Sequence, residues 1–121
     1  MSETDDNYCG VVRTYYDYAK TELKEEYFIN TGKKEGIYKS YHYDGQLREE
    51  VNYIFGKRNG IYKLYYENGQ LYIEVNFIDN KMNGIYKSYY ENGQLYIEVN
   101  FIDDNGKLKS EVNYIDGKRV D

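Results

Sequence analysis

The sequence predicts an all-β fold, a tandem array of β-hairpins, and three observations predict it. The block Gly60 to Asp79 recurs from Gly84 to Asp103, with Leu64 against Ser88 as the sole difference. A looser copy starts at Gly36, which sets a 24-residue period. Fixed periods of this length mark repeat architectures and not folds built around one unique pocket. Each copy carries a turn dipeptide at the same place, Asp44-Gly45, Asn68-Gly69 and Asn92-Gly93. Finally, 18 of the 121 residues are tyrosine and none is proline or tryptophan. Tyrosine, isoleucine, phenylalanine and valine all favour strands.

Taken in order, residues 1–9 read as a disordered acidic tail, Ser2-Glu3-Thr4-Asp5-Asp6-Asn7. Residues 10–35 read as a degenerate N-terminal repeat or cap. Gly10 to Tyr16 resembles a first strand, and Leu23 to Gly32 resembles Leu47 to Gly56. A short helix over Tyr15 to Tyr27 is the alternative, since Ala19, Leu23, Glu25 and Glu26 tolerate one. Residues 36–104 are the tandem 24-residue repeats. Residues 105–121 form a truncated C-terminal repeat or cap, in which Lys107 to Tyr114 matches only the second strand of a unit. Atypical end units are expected of a repeat array.

Asn-Gly suits a two-residue type I′ turn, in which both central residues take positive φ. With such a turn at Asn68-Gly69, Glu67 faces Gln70, Tyr66 faces Leu71 and Tyr65 faces Tyr72. Leu64 then faces Ile73, Lys63 faces Glu74, and Tyr62 faces Val75. Alternation puts Tyr62, Leu64, Tyr66, Leu71, Ile73, Val75 and Phe77 on one face. The other face takes Ile61, Lys63, Tyr65, Tyr72, Glu74 and Asn76. The same register opposes Lys39 to Glu50, Lys63 to Glu74 and Lys87 to Glu98, pairs that contribute about 0.2–1 kcal/mol each. A second turn, Phe55 to Gly60 and Asp79 to Gly84, links each hairpin to the next. Gly36, Gly60 and Gly84 open the units, either as turn boundaries or as places where an aromatic ring lies over bare backbone.

The formal net charge of −5 disfavours nucleic acid and anionic lipid as general partners. Cys9 is the single cysteine, so no internal disulfide can form. The first residues lack the basic and apolar regions of a signal peptide. No apolar run approaches the roughly 20 residues that span a bilayer. The expectation is a cytoplasmic protein, in host cytoplasm or virion if the source is viral. No cofactor or metal is implied: one histidine and one cysteine, far apart, support neither a zinc site nor a Cys–His nucleophile. His42 stands where the other units have Tyr66 and Tyr90, and reads as a sheet residue. Catalysis is not expected.

The pattern carried by Gly60-Ile-Tyr-Lys and Glu67-Asn-Gly-Gln-Leu resembles the MORN-repeat variant family over roughly Gly36 to Lys118. The resemblance implies an elongated, twisted, single-layer antiparallel sheet of stacked hairpins. It also implies scaffolding, docking or dimerisation, with membrane or phosphoinositide binding and antitoxin-like capture of a partner protein as alternatives. This chain lacks the tryptophans and the basic excess of the membrane-linked pattern.

About nine strands in one layer leave an apolar face too large for a monomer to expose. A homodimer through Tyr62, Leu64, Tyr66, Leu71, Ile73, Val75 and Phe77 is therefore the preferred expectation, with sheet curling or the N-terminal segment as other covers. On the opposite face, Tyr41, Tyr65, Tyr72, Tyr89 and Tyr96 form a candidate interaction ladder, with Arg48 lying on the Tyr41 ring. The other reading of this ladder is that its cross-strand pairs simply stabilise the strands. The expected function is a non-enzymatic scaffold for protein–protein interaction or self-assembly.

Overall fold

The computed structural model describes residues 7–101, 110–115 and 118–119. Every regular element in them is a strand. They are β1 (Gly10–Tyr15), β2 (Leu23–Asn30), β3 (Lys33–Lys34), β4 (Gly36–Tyr41), β5 (Leu47–Ile54) and β6 (Lys57–Arg58). They continue as β7 (Gly60–Tyr65), β8 (Leu71–Ile78), β9 (Lys81–Tyr89), β10 (Leu95–Phe101), β11 (Ser110–Ile115) and β12 (Lys118–Arg119). All join one antiparallel sheet that follows chain order, with β3 on β2 and β6 on β5 beside the main path. The tail expected over 1–9 lies outside the described residues for 1–6. Tyr8 and Cys9 are tied down: the Tyr8 carbonyl accepts the Gly32 amide, and Cys9 Sγ accepts the Thr31 amide at 3.3 Å.

The stretch between β1 and β2 is a turn. Tyr16 N donates to Glu22 O at 2.9 Å, and the Asp17 carboxylate caps the amides of Thr21 and Glu22. These bonds give residues 17–22 the local partners a helix would otherwise supply, so the strand reading of Gly10–Tyr15 and Leu23–Asn30 holds.

Within the repeats the central register is as expected. Tyr62 pairs with Val75, Lys63 with Glu74 and Leu64 with Ile73. The turn differs. Gly69 N donates to Tyr66 O and Tyr66 N to Gln70 O, which closes a three-residue loop of Glu67, Asn68 and Gly69. Gly69 alone is left-handed, at φ +87°, and Asn68 is not among the residues with positive φ. The Asn68 side chain instead accepts the Gln70 amide at 2.9 Å. This is a type I turn closed by a left-handed glycine. It consumes one more residue than the expected type I′ turn, so Tyr65 pairs with Leu71 and the register steps before Leu64 meets Ile73. The expected Tyr66–Leu71 and Tyr65–Tyr72 pairs do not form.

The type I′ turns lie at the opposite ends of the strands. Thr31-Gly32, Phe55-Gly56 and Asp79-Asn80 each have positive φ at both residues, and strand pairing resumes at once with Lys33, Lys57 and Lys81. The six-residue linking turn is thus a two-residue hairpin followed by strand. Phe55 is the costly member: an exposed aromatic held at φ +51°. A left-handed L-residue costs about 1–2 kcal/mol, less for asparagine. Phe55→Asn is expected to raise stability by about 1 kcal/mol, read as a higher urea midpoint at unchanged m-value.

Gly36, Gly60 and Gly84 pair with Tyr53, Phe77 and Phe101. An aromatic residue does stand opposite each. Yet a Cβ on Gly60 would meet only Asn52 Cβ, at 3.9 Å. Its φ of +107° is what requires glycine.

Among the described residues all buried side chains lie on one face. Val51 and Val75 are 2% exposed, and Ile29, Tyr38, Ser40, Phe77, Ser88 and Val99 join them. Each valine sits cross-strand from a tyrosine: Val51 from Tyr38, Val75 from Tyr62 and Tyr86, Val99 from Tyr86. Edge-on aromatic pairs flank them, Tyr38–Tyr53, Tyr62–Phe77 and Tyr86–Phe101, with centroids 6.0–6.3 Å apart. A single layer thus makes its core from large rings flanking small branched residues.

Candidate interaction surface

The apolar face expected from the sequence is the inner face of the sheet. Val75 and Phe77 are buried, while Tyr62, Leu64, Tyr66, Leu71 and Ile73 are half-buried. The outer face carries two ribbons that run across the strands. The first is ionic. Arg13 faces Glu26, Glu26 faces Lys39, Lys39 faces Glu50, and Glu50 faces Lys63. Lys63 then faces Glu74, Glu74 faces Lys87, and Lys87 faces Glu98. The closest contacts are 2.7 Å for Arg13–Glu26, 3.8 Å for Lys39–Glu50 and 3.9 Å for Lys87–Glu98. Sequence pairing within hairpins recovers three of these seven oppositions, Lys39–Glu50, Lys63–Glu74 and Lys87–Glu98. Glu26–Lys39, Glu50–Lys63 and Glu74–Lys87 arise between hairpins and follow from the second turn, and Arg13–Glu26 joins the first two strands.

The second ribbon is apolar. Ile37, Ile61 and Ile85 occupy one position of successive repeats and are 51%, 50% and 45% exposed. Val11, with Phe28 opposite, extends it, and Ile54 and Ile78 are exposed near the rim.

The tyrosine ladder is rearranged by the turn. Tyr72 stacks on Tyr66, not Tyr65, with centroids 4.3 Å apart and planes at 18°. Tyr96 packs on Tyr90, not Tyr89, at 5.1 Å. Both changes follow from the extra loop residue, which shifts the pairing next to the turn by one and is taken up by a bulge at Tyr72 and at Tyr96. Tyr41, Tyr65 and Tyr89 are half-buried, and their carbonyls have a different use. Tyr16 Oη donates to Tyr41 O at 2.6 Å, His42 Nε2 to Tyr65 O at 2.8 Å, and Tyr66 Oη to Tyr89 O at 2.6 Å. His42 fills the tyrosine position of its repeat and holds its proton on Nε2. These bonds staple each repeat to the next. Burial and the nearby Tyr72 and Glu91 hold the Tyr66 phenol above its ordinary pKa. Arg48 pairs with Glu49 at 3.7 Å and does not lie on Tyr41 among the described cation–π contacts. It lines an open depression of about 510 Å³ with His42, Tyr65, Tyr72 and Glu91.

The sequence signal for the staples was the shared position of His42, Tyr66 and Tyr90. The carbonyl partners of His42 and Tyr66 sit in a neighbouring repeat, so the pairing emerges only with the stacking geometry.

An open antiparallel sheet of hairpins whose outer face carries regular ribbons defines a repeat protein. The family model described as MORN repeat variant matches residues 34–54, 58–79, 82–103 and 101–116, more than half of the chain, so the protein belongs to that family. No curated protein and no solved structure matches this chain.

Proposed function

We propose that the chain is a non-enzymatic docking scaffold that binds a partner protein across the outer face of its sheet. The observation that carries the reading is the exposed row Ile37, Ile61 and Ile85. The same sheet buries Val51 and Val75 to 2% on one side yet leaves an isoleucine half exposed, once per repeat, on the other. Apolar anchors spaced at a fixed pitch beside an ionic ribbon give a partner both adhesion and register. The partner is another protein, a second copy of this chain included.

The test compares wild type with Ile37→Ser/Ile61→Ser/Ile85→Ser as baits in the native source, with circular dichroism to confirm that both fold. A partner held by wild type is expected to bind the variant at least about tenfold more weakly, since buried apolar anchors dominate interface energies. Equal retention by both baits would defeat the reading.

A further inference from the structure

The turns divide the charge between the two rims of the sheet. The type I′ rim carries Lys33, Lys34, Lys57, Arg58 and Lys81 against the carboxylates Glu35 and Asp79. The rim of the three-residue loops carries Asp17, Glu22, Asp44, Glu67 and Glu91 at its turns, with Lys20 in the first turn, Lys24 and Arg48 just inside on the strands, and Lys118 and Arg119 near its far end. Lys33, Lys57 and Lys81 are exposed, hold one position in successive repeats, and enter no ion pair among the described residues. Asp44, Glu67 and Glu91 are also exposed and enter no ion pair among the described residues, one to each three-residue loop, though Glu67 and Glu91 stand where the first repeat has Tyr43 and Asp44 stands where the others have Asn68 and Asn92. Asp44 Oδ1 accepts the turn bond from Gln46 N at 2.9 Å. Lys34 and Arg58 lie over rings, Lys34 at 4.8–5.2 Å from Tyr27, Tyr38 and Tyr53, and Arg58 at 4.2 Å from Phe77. Their charge is thereby held at the rim.

Both rims advance by two strands per repeat, about 9–10 Å. A second copy laid alongside the first therefore meets charge of opposite sign at every step, with no adjustment of spacing. The geometry points to lateral self-association, in which the lysine rim of one copy docks along the carboxylate rim of another. The contact is heterologous, so an assembly of any size keeps one free lysine rim at one end and one free carboxylate rim at the other, and growth is open-ended. Exposed ion pairs are individually weak and screened by salt, so the assembly depends on several repeats acting together and dissolves at high ionic strength. This interface is separate from the outer-face docking proposed above.

The test is sedimentation velocity at about 50 mM and about 500 mM salt, where the Debye length shrinks from about 14 Å to about 4 Å. At low salt the mean mass is expected to rise above 14.5 kDa with concentration, and at high salt to return to it. Two charge variants sharpen the result. Lys33→Glu/Lys57→Glu/Lys81→Glu makes both rims acidic. Asp44→Asn/Glu67→Lys/Glu91→Lys makes both basic, and keeps the turn bond because Asn68 and Asn92 make it in their repeats. Each variant alone is expected to stay monomeric at low salt, and an equimolar mixture to associate. Ile37→Ser/Ile61→Ser/Ile85→Ser is expected to associate like wild type, which separates this interface from the docking face. A monomer at every concentration and low salt, association indifferent to salt, or a mixture that stays monomeric would each overturn the proposal. So would a lysine rim that binds anionic vesicles while the protein remains monomeric.

Discussion

Val75→Asp is expected to unfold the array, at a cost above about 4 kcal/mol. The site is 2% exposed, with Tyr62 and Tyr86 cross-strand on either side. Neither ring offers a carboxylate a charge partner there, so an ionised aspartate would be buried unpaired, among the most expensive single changes a fold can meet. Ile78→Asp on the same strand is the contrast. Ile78 is 49% exposed and pairs with Lys81, so the change is expected to stay within about 1 kcal/mol. Urea titrations followed by circular dichroism would read both. The same titration of wild type tests where the core resides. If Val51, Val75 and Val99 are covered by their own chain, the midpoint will not move on tenfold dilution. A fold completed by a second copy would lose stability with concentration.

That distinction was only partly legible in the sequence. Alternation assigned Val75 and Phe77 to an apolar face correctly, because the strand period is two and the central register is fixed by Lys63 opposite Glu74. Area arithmetic then left that face needing a cover. Part of that cover is local: tyrosines stand cross-strand from the valines and bury them. Turn chemistry was the other gap. Asn-Gly is compatible with both a type I′ turn and a three-residue loop ending in left-handed glycine. Nothing within six residues decides between them. The decision comes from the next hairpin, where Tyr66 reaches Tyr89 O and Asn68 Nδ2 reaches Glu91 O at 2.8 Å. The charge separation between rims was hidden for a related reason. Lysines and carboxylates are interleaved along the chain, but the strands between them carry each to an opposite end of the sheet.

Tyr62→Phe is expected to cost about 1–3 kcal/mol, through the carboxylate it abandons more than through the hydroxyl it loses. Tyr62 Oη donates to Glu49 Oε2 at 2.5 Å, and Ser40 Oγ donates to Glu49 Oε1 at 3.2 Å. Tyr38 and Glu25 repeat the bond one unit earlier, at 2.5 Å, with Thr14 Oγ1 as second donor at 2.9 Å. One unit later the acid is Ile73, so the sheet tolerates an apolar residue at this position. Tyr62→Phe/Glu49→Ile should therefore cost less than the sum of its parts, with a coupling of about 0.5–3 kcal/mol in a double-mutant cycle. Additive costs would show that the hydrogen bond contributes nothing. The bonds also set the pH limits of the fold. Burial raises the Glu25 pKa, but hydrogen bonds from Tyr38 and Thr14 outweigh it and hold the carboxyl below its ordinary 4.5. A depressed carboxyl contributes stability above 4.5 that is lost as pH falls through the folded value. Burial, and then the bond to Glu25, raise Tyr38 well above its ordinary 10.0, and Tyr62 is raised in the same way by burial and Glu49. A raised phenol contributes stability that is complete below 10 and is lost as pH rises from there toward the folded value. Melting temperature should accordingly fall on both sides of a broad plateau. Tyr62→Phe should lower the plateau and soften the alkaline fall, because the residue that resists ionisation there is gone.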